Sequence, residues 1–244
     1  MSEKVPLKGG IFLKSIAQRI QDYRKGEINQ ITPAHVEKWI KQFDINDQNT
    51  ILFEIDRLLK HFYFSKEQVK GFIRDFLANR SLFGADPRIS LAGTNFLHIQ
   101  QQGESQTELL KVVDDILHED HHLSLNRCSG SDVYVYIDDC VYSGNRLRYD
   151  VVPWIEQNAP LGSKLLIYHI GRHKYGFNYA YNYIKKAADK KDIEIEHRCR
   201  VEMDNWRNKN SRVEFMWPRQ LPSPGDPNVN EYYELSIFIL KVAH

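Results

Sequence analysis

Residues 132–147 read DVYVYIDDCVYSGNRL, and no other stretch limits the possible folds so tightly. Val133, Tyr134, Val135, Tyr136 and Ile137 are all β-branched or aromatic, which is the pattern of a strand buried on both faces. Asp138 and Asp139 follow, then a loop carrying Ser143 and Gly144, then a helical pattern over 146–156. A strand covered on both faces belongs in a parallel sheet, so its neighbours must be alternating strands and helices. From Ala85 onward the chain has that form. Strands are expected at 95–100 (NFLHIQ), 133–137, 164–171 (KLLIYHIG) and 193–200, with helices at 107–117, 146–156 and 178–188. Right-handed crossovers then give an α/β fold, a parallel sheet with helices on both faces. Pro218, Pro222, Pro224 and Pro227 mark an extended stretch before a last strand at 235–242.

The first part of the chain is different in kind. Helices are expected over 11–24, over 32–43 with Thr32 as N-cap and Pro33 at the first helical position, and from Ile51 to Phe62. A fourth opens at Ser65, with Gln68 completing a capping box. The expected organisation is therefore a helical region at 1–84 and an α/β domain at 85–244. With 33 basic and 32 acidic residues the net charge is +1, so no global basic field recruits nucleic acid. A helix-turn-helix reading of the N-terminal helices competes with a packing or partner-binding bundle, which the apolar stripes favour. Three cysteines without CxxC spacing, no signal-peptide pattern and no run of membrane-spanning length point to a reduced, cytoplasmic protein without a membrane span.

In an open parallel sheet, ligands bind beyond the carboxyl ends of the strands. The loop 140–145 brings backbone N–H groups to a helix N-terminus, a hydroxyl from Ser143 and no side chain at Gly144, which suits a phosphate. Asp138 and Asp139 would repel that phosphate. Vicinal hydroxyls, a divalent cation or positive charge developing on the ligand are their plausible targets. A phosphate with a diol one sugar away satisfies both halves, and that describes a ribose 5-phosphate. The alternative is a surface turn with solvated carboxylates.

The segment VYVYIDDCVYSG resembles the signature of phosphoribosyltransferases of the type I fold: a hydrophobic strand, two acidic residues, small or apolar residues, then Ser or Thr and Gly. The resemblance implies that Asp138 and Asp139 hold the ribose hydroxyls of phosphoribosyl pyrophosphate and act as the catalytic acids. It makes Tyr142, Ser143, Gly144, Asn145 and Arg146 the loop around the 5-phosphate. Gln102, Gly103, Glu104 and Ser105 fall where the family keeps its pyrophosphate loop, although a plain strand-to-helix turn reads equally well there. Mg²⁺ is implied with the substrate, bound through it and possibly through Asp138 and Asp139. Three features depart from the family pattern. Asn145 and Arg146 replace Gly-Thr, Glu104 sits in the pyrophosphate turn with no adjacent Lys or Arg, and His118 to Gly130 is too short for the family's mobile lid.

The layout, with VEKWIKQF in a helical N-terminal part ahead of DDCVYSGN, further resembles a bacterial subgroup of phosphoribosyltransferase-like proteins from conflict and anti-phage systems, including retron effectors. This implies an effector restrained by a protein or nucleoprotein partner of the reverse transcriptase type, with homo-oligomerisation open. A non-catalytic nucleotide sensor or complex component is the alternative. Other clusters read more plainly. His118, Glu119, Asp120, His121 and His122 read as a solvated helix end rather than a metal group, and Arg172, His173, Lys174 and Tyr175 as a solvated basic turn at least as readily as a group binding a base, a pyrophosphate or a nucleic-acid phosphate. Trp206, Arg207, Lys209, Trp217 and Arg219 anchor an irregular segment in preference to stacking on single-stranded nucleic acid.

Overall fold

The computed structural model describes residues 10–203, so the expected strand at 235–242, the proline-rich stretch and the Trp206 to Arg219 cluster lie outside the described residues. Two compact units divide at Phe76 and Leu77.

The first unit is helical. Helices α1 (Gly10–Arg19), α2 (Pro33–Ile40) and α3 (Gln48–Phe62) enclose Leu13, Ile16, Ala17, Val36, Ile40 and Leu52, and α4 (Lys66–Leu77) follows. Local signals set the helix starts. The Thr32 side chain accepts from the His35 N–H, and Pro33 opens α2. At α4 the Gln68 N–H donates to Ser65 Oγ at 3.1 Å and the Ser65 N–H to Gln68 Oε1 at 2.9 Å, the reciprocal box read from the sequence. Asp56 of α3 accepts from Ser15 Oγ and Arg19 Nε, at 2.5 and 3.1 Å, tying α3 to α1.

The second unit begins with two short helices, α5 (Arg80–Phe83) and α6 (Pro87–Gly93). Then come β1 (Asn95–Phe96), α7 (Ser105–Ile116), β2 (Val133–Val141), α8 (Asn145–Gln157), β3 (Lys164–His173), α9 (Lys174–Asp189) and β4 (Glu194–Met203). All pairings are parallel and the order is β1-β2-β3-β4. Tyr136, Leu165 and Ile167 point from one face into a core with Leu147, Val151 and Ile155 of α8 and Phe177, Ala180 and Ile184 of α9. Val135, Ile137 and Leu166, of opposite parity, are equally buried, so the sheet is covered on both faces.

Several boundaries differ from the sequence reading, and three of the differences bear on the site. β2 does not stop at Ile137 but stays paired with β3 through Asp138 to His169, Cys140 to Gly171 and Val141 to Arg172. β1 is shorter than 95–100. Leu97 still donates to Val135 at 2.8 Å, but the next amides turn away to a side chain, described below. The basic run at 172–175 is no open turn, because β3 ends at His173 and α9 starts at Lys174. Residues 117–121 form one π-helical turn closed by His122 at φ 55, and among the described residues no three His, Cys, Asp or Glu side chains are grouped to hold a metal.

Candidate functional site

At the carboxyl edge of β2 the two acids have opposite surroundings, because successive strand residues face opposite sides. Asp138 is only 2% exposed. Its Oδ1 accepts from Ser105 Oγ at 2.6 Å and from the Asp139 N–H at 2.9 Å. Its Oδ2 lies 3.4 Å from the Tyr136 hydroxyl, which also reaches Asp150 Oδ2 at 3.0 Å. A tyrosine hydroxyl has one proton, so it serves one carboxylate at a time. Asp150, on α8 and buried, also accepts from the Gln101 N–H at 3.1 Å. Burial raises the Asp150 pKa above the ordinary carboxylate value, opposed by the Gln101 and Tyr136 bonds.

Asp139 is exposed, with Oδ1 accepting from the Cys140 N–H at 2.5 Å. Desolvation of its carboxyl, then the charge of Asp138, raise its pKa, while the Cys140 N–H and Arg146 pull it back. Asp139 is therefore the accessible member of the pair. Together Asp138, Asp139, Cys140, Tyr142, Ser143, Gly144 and Arg146 line a cavity of about 260 Å³.

The loop after β2 is placed by backbone contact. Gly144 has φ +81, and a Cβ built on it would lie 2.0 Å from the Gly176 carbonyl oxygen. A Cβ on Gly176, in the first turn of α9, would lie 1.7 Å from the Tyr142 carbonyl oxygen. Only two glycines allow these backbones to touch. Ser143 Oγ accepts from the Asn145 N–H at 3.3 Å, and the Arg148 N–H donates to Gly144 O at 3.0 Å as α8 begins. Burial pushes the Cys140 thiol up to about 11, so it is no thiolate nucleophile at neutral pH.

The turn after β1 is held by side chains. Gln106, fully buried, accepts on Oε1 from the Ile99 and Gln100 N–H groups at 2.7 and 2.9 Å. It donates from Nε2 to Ile137 O at 3.3 Å. This side chain replaces the strand partner that β1 loses after Leu97. Ser105 joins the turn to Asp138, and Gln101 joins it to Asp150. Of the sequence-predicted residues, Ser105 is thus brought to Asp138, with Gly103 and Glu104 at the near end of α7 and Arg146 at the near end of α8.

Sequence reasoning missed Gln106, Tyr136 as a hydrogen-bonding group, Asp150, Gly176 and His169. His169 pairs with Asp138 on the ladder and is fully buried, and among the described residues neither ring nitrogen has a partner. Burial lowers its pKa to about 4, against the attraction of Asp138, so the ring is neutral. Arg172 is engaged within the sheet edge. It donates from Nε to Glu202 at 2.8 Å, contacts His197 Nδ1 at 2.6 Å and lies 4.6 Å above the Phe177 ring.

A protein-family model described as PRTase-CE matches residues 36–239. No curated protein and no solved structure matches the chain.

Proposed function

This chain belongs to the PRTase-CE family of phosphoribosyltransferase-like proteins, and from that premise we propose that it binds phosphoribosyl pyrophosphate or a related ribose 5-phosphate ligand with Mg²⁺. The observation that carries this reading is the cavity at the end of β2, which joins the Asp139 carboxylate to the Ser143–Gly144 loop and the N-terminus of α8. The loop amides and the Ser143 hydroxyl would take the 5-phosphate, helped by the helix dipole. Asp139 would hold the ribose hydroxyls, and Asp138 would fix it through the Asp139 N–H. In turnover the bond from C1 to the diphosphate would break with its electron pair leaving on the diphosphate, while an acceptor nucleophile forms the new bond to C1 and gives up its proton to solvent. The acid pair would then stabilise positive charge developing on the sugar.

Mg²⁺ is ordinarily held by one or two carboxylates together with substrate phosphates, and an accessible Asp139 beside a phosphate-sized cavity fits that mode. When bound, the ion supplies neutralisation of the phosphate charge. Following the conflict-system resemblance, we place the protein in the cytoplasm as an anti-phage effector of the retron type, held in check by a protein or nucleoprotein partner. Among the described residues no helix is long and apolar enough to cross a membrane.

A second reading is favoured by one observation. Asp138 is enclosed by Ser105, Tyr136 and the Asp139 amide, so a ligand must displace one of them to reach it. A non-catalytic nucleotide sensor needs no such displacement. Calorimetry with phosphoribosyl pyrophosphate and Mg²⁺, followed by a pyrophosphate-release assay, separates the two. Binding with release supports the transferase and binding without release supports the sensor, while absence of binding sinks both.

A further inference from the structure

A pyrophosphate site needs cations, yet the turn after β1 has Glu104 as its charged residue and no adjacent Lys or Arg. The fold supplies one from another element. Gly103 has φ +92, and a Cβ built on it would lie 3.6 Å from Arg146 Nη1 and 3.7 Å from Cζ and Nη2. The guanidinium, although it springs from the first turn of α8, lies across the turn that follows β1. Its charge also reaches Asp139 and Asp150, where it opposes the effect of burial on both carboxyls. Among the described residues, Arg146 is the only cation lining the cavity.

This juxtaposition is fixed by the scaffold on the turn's side. Ser105 is bonded to Asp138, Gln101 to Asp150, and Gln106 to two amides of the descending chain. Gly103 therefore has little freedom to leave the guanidinium, and its lack of a side chain keeps the face beside Arg146 open. A planar guanidinium with parallel N–H donors matches phosphoryl oxygens better than an ammonium does.

We propose that Arg146 is the pyrophosphate-binding cation of this site, a specificity residue for a ribose 5-phosphate that carries a diphosphate at C1. This rests on the proposed function and deepens it. The 5-phosphate is left to Ser143 and the amides at the start of α8, while Arg146 offsets the charge of Glu104 and receives the diphosphate. Arg146 thereby moves from the loop around the 5-phosphate, where the family resemblance put it, to the opposite end of the sugar.

The test uses the full chain and two probes, phosphoribosyl pyrophosphate and ribose 5-phosphate, each with Mg²⁺, in calorimetric titrations. Arg146→Gln is expected to weaken phosphoribosyl pyrophosphate by about tenfold or more, the effect of losing a charged hydrogen-bonding pair, and to leave ribose 5-phosphate unchanged. Arg146→Lys should recover part of that loss. Matching thermal melts for the variants and the natural chain show that folding is intact. Equal weakening of both probes, or of neither, overturns the assignment while leaving the proposed function standing. A natural chain that binds neither probe overturns the proposed function and this inference together.

Discussion

The loop after β2 is held by one backbone pressed against another, whereas the turn after β1 is held by side-chain hydrogen bonds. The first depends on an absence of atoms at Gly144 and Gly176. The second depends on the presence of particular polar atoms on Ser105, Gln106, Asp138 and Asp150. Close packing tolerates no added carbon, while a hydrogen-bonded turn fails in steps as bonds are lost singly. A loop fixed by contact suits a ligand group of constant shape such as phosphate. A turn fixed by several separate bonds can rearrange one of them, as access to Asp138 requires.

The sharpest way to break this contrast is to add atoms where the backbones touch. Gly176→Val should cost about 4 kcal/mol or more, since a Cβ there would meet the Tyr142 carbonyl at 1.7 Å and neither backbone can retreat without dismantling a helix start or a strand end. Urea denaturation measures it. A loss under about 1 kcal/mol would show that the loop is not held by contact.

Removing the principal bond acceptor tests the other loop. Gln106→Ala strips the Ile99 and Gln100 amides of their acceptor in a fully buried setting, at an expected cost of about 3 kcal/mol. Hydrogen exchange should then quicken at those two amides before it does at Gly144. Uniform exchange across both loops would mean that they form one cooperative unit.

The same contrast explains how much was legible in the sequence. The capping box of Ser65 and Gln68, the Thr32–Pro33 start and the alternation of strands and helices depend on neighbours within a few residues, and the fold follows from them. The placement of the acids towards a strand's carboxyl end, ahead of the Ser143–Gly144 loop and a helix, was legible too, because it depends on order along the chain. Gly176 was not, since its necessity comes from a backbone met only after β3 has been laid down. Gln106 fell between the candidate turn at 102–105 and the helix expected from 107, and Asp138 just past the end of a strand. A carboxylate is normally expected in solvent, and nothing near position 138 in the sequence announces Ser105 or Tyr136 as its partners. Gln106 left one usable signal: a glutamine in the first turn of a helix that follows a strand and a short turn can accept from the amides of the descending chain.

The two acids carry the contrast into a single dipeptide. Asp138→Asn should cost about 2 kcal/mol, because an amide cannot match a carboxylate that accepts from Ser105, Asp139 and Tyr136. Asp139→Asn should behave in the opposite way. Its pKa is raised on folding, so the folded chain binds the proton more tightly than the unfolded one, and the ionised form costs stability above the raised pKa. The variant should therefore match or exceed the natural chain's melting temperature at neutral pH, with the advantage vanishing as the pH falls below the unfolded value. Ligand titration should reverse the ranking of importance, with Asp139→Asn abolishing the signal. A melting temperature lowered by Asp139→Asn at neutral pH would contradict the assignment of Asp139 as the accessible member.

The smallest effect separates the two glycines that adopt positive φ in the two loops. Gly103 has φ +92 and Gly144 has φ +81, so backbone strain on gaining a Cβ is comparable at both. Their surroundings differ. Gly103 would first meet the Arg146 guanidinium, at an ordinary contact distance of 3.6 Å and on a side chain that can move, whereas Gly144 would strike a carbonyl. Gly103→Ala should accordingly cost about 1 kcal/mol, the strain alone, with Gly144→Ala several times more. If Arg146 receives the diphosphate, the methyl group also covers the open face beside the guanidinium and weakens phosphoribosyl pyrophosphate more than ribose 5-phosphate, as Arg146→Gln does. Equal stability losses at the two glycines would show that strain rather than contact governs both loops, and the distinction between them would fall.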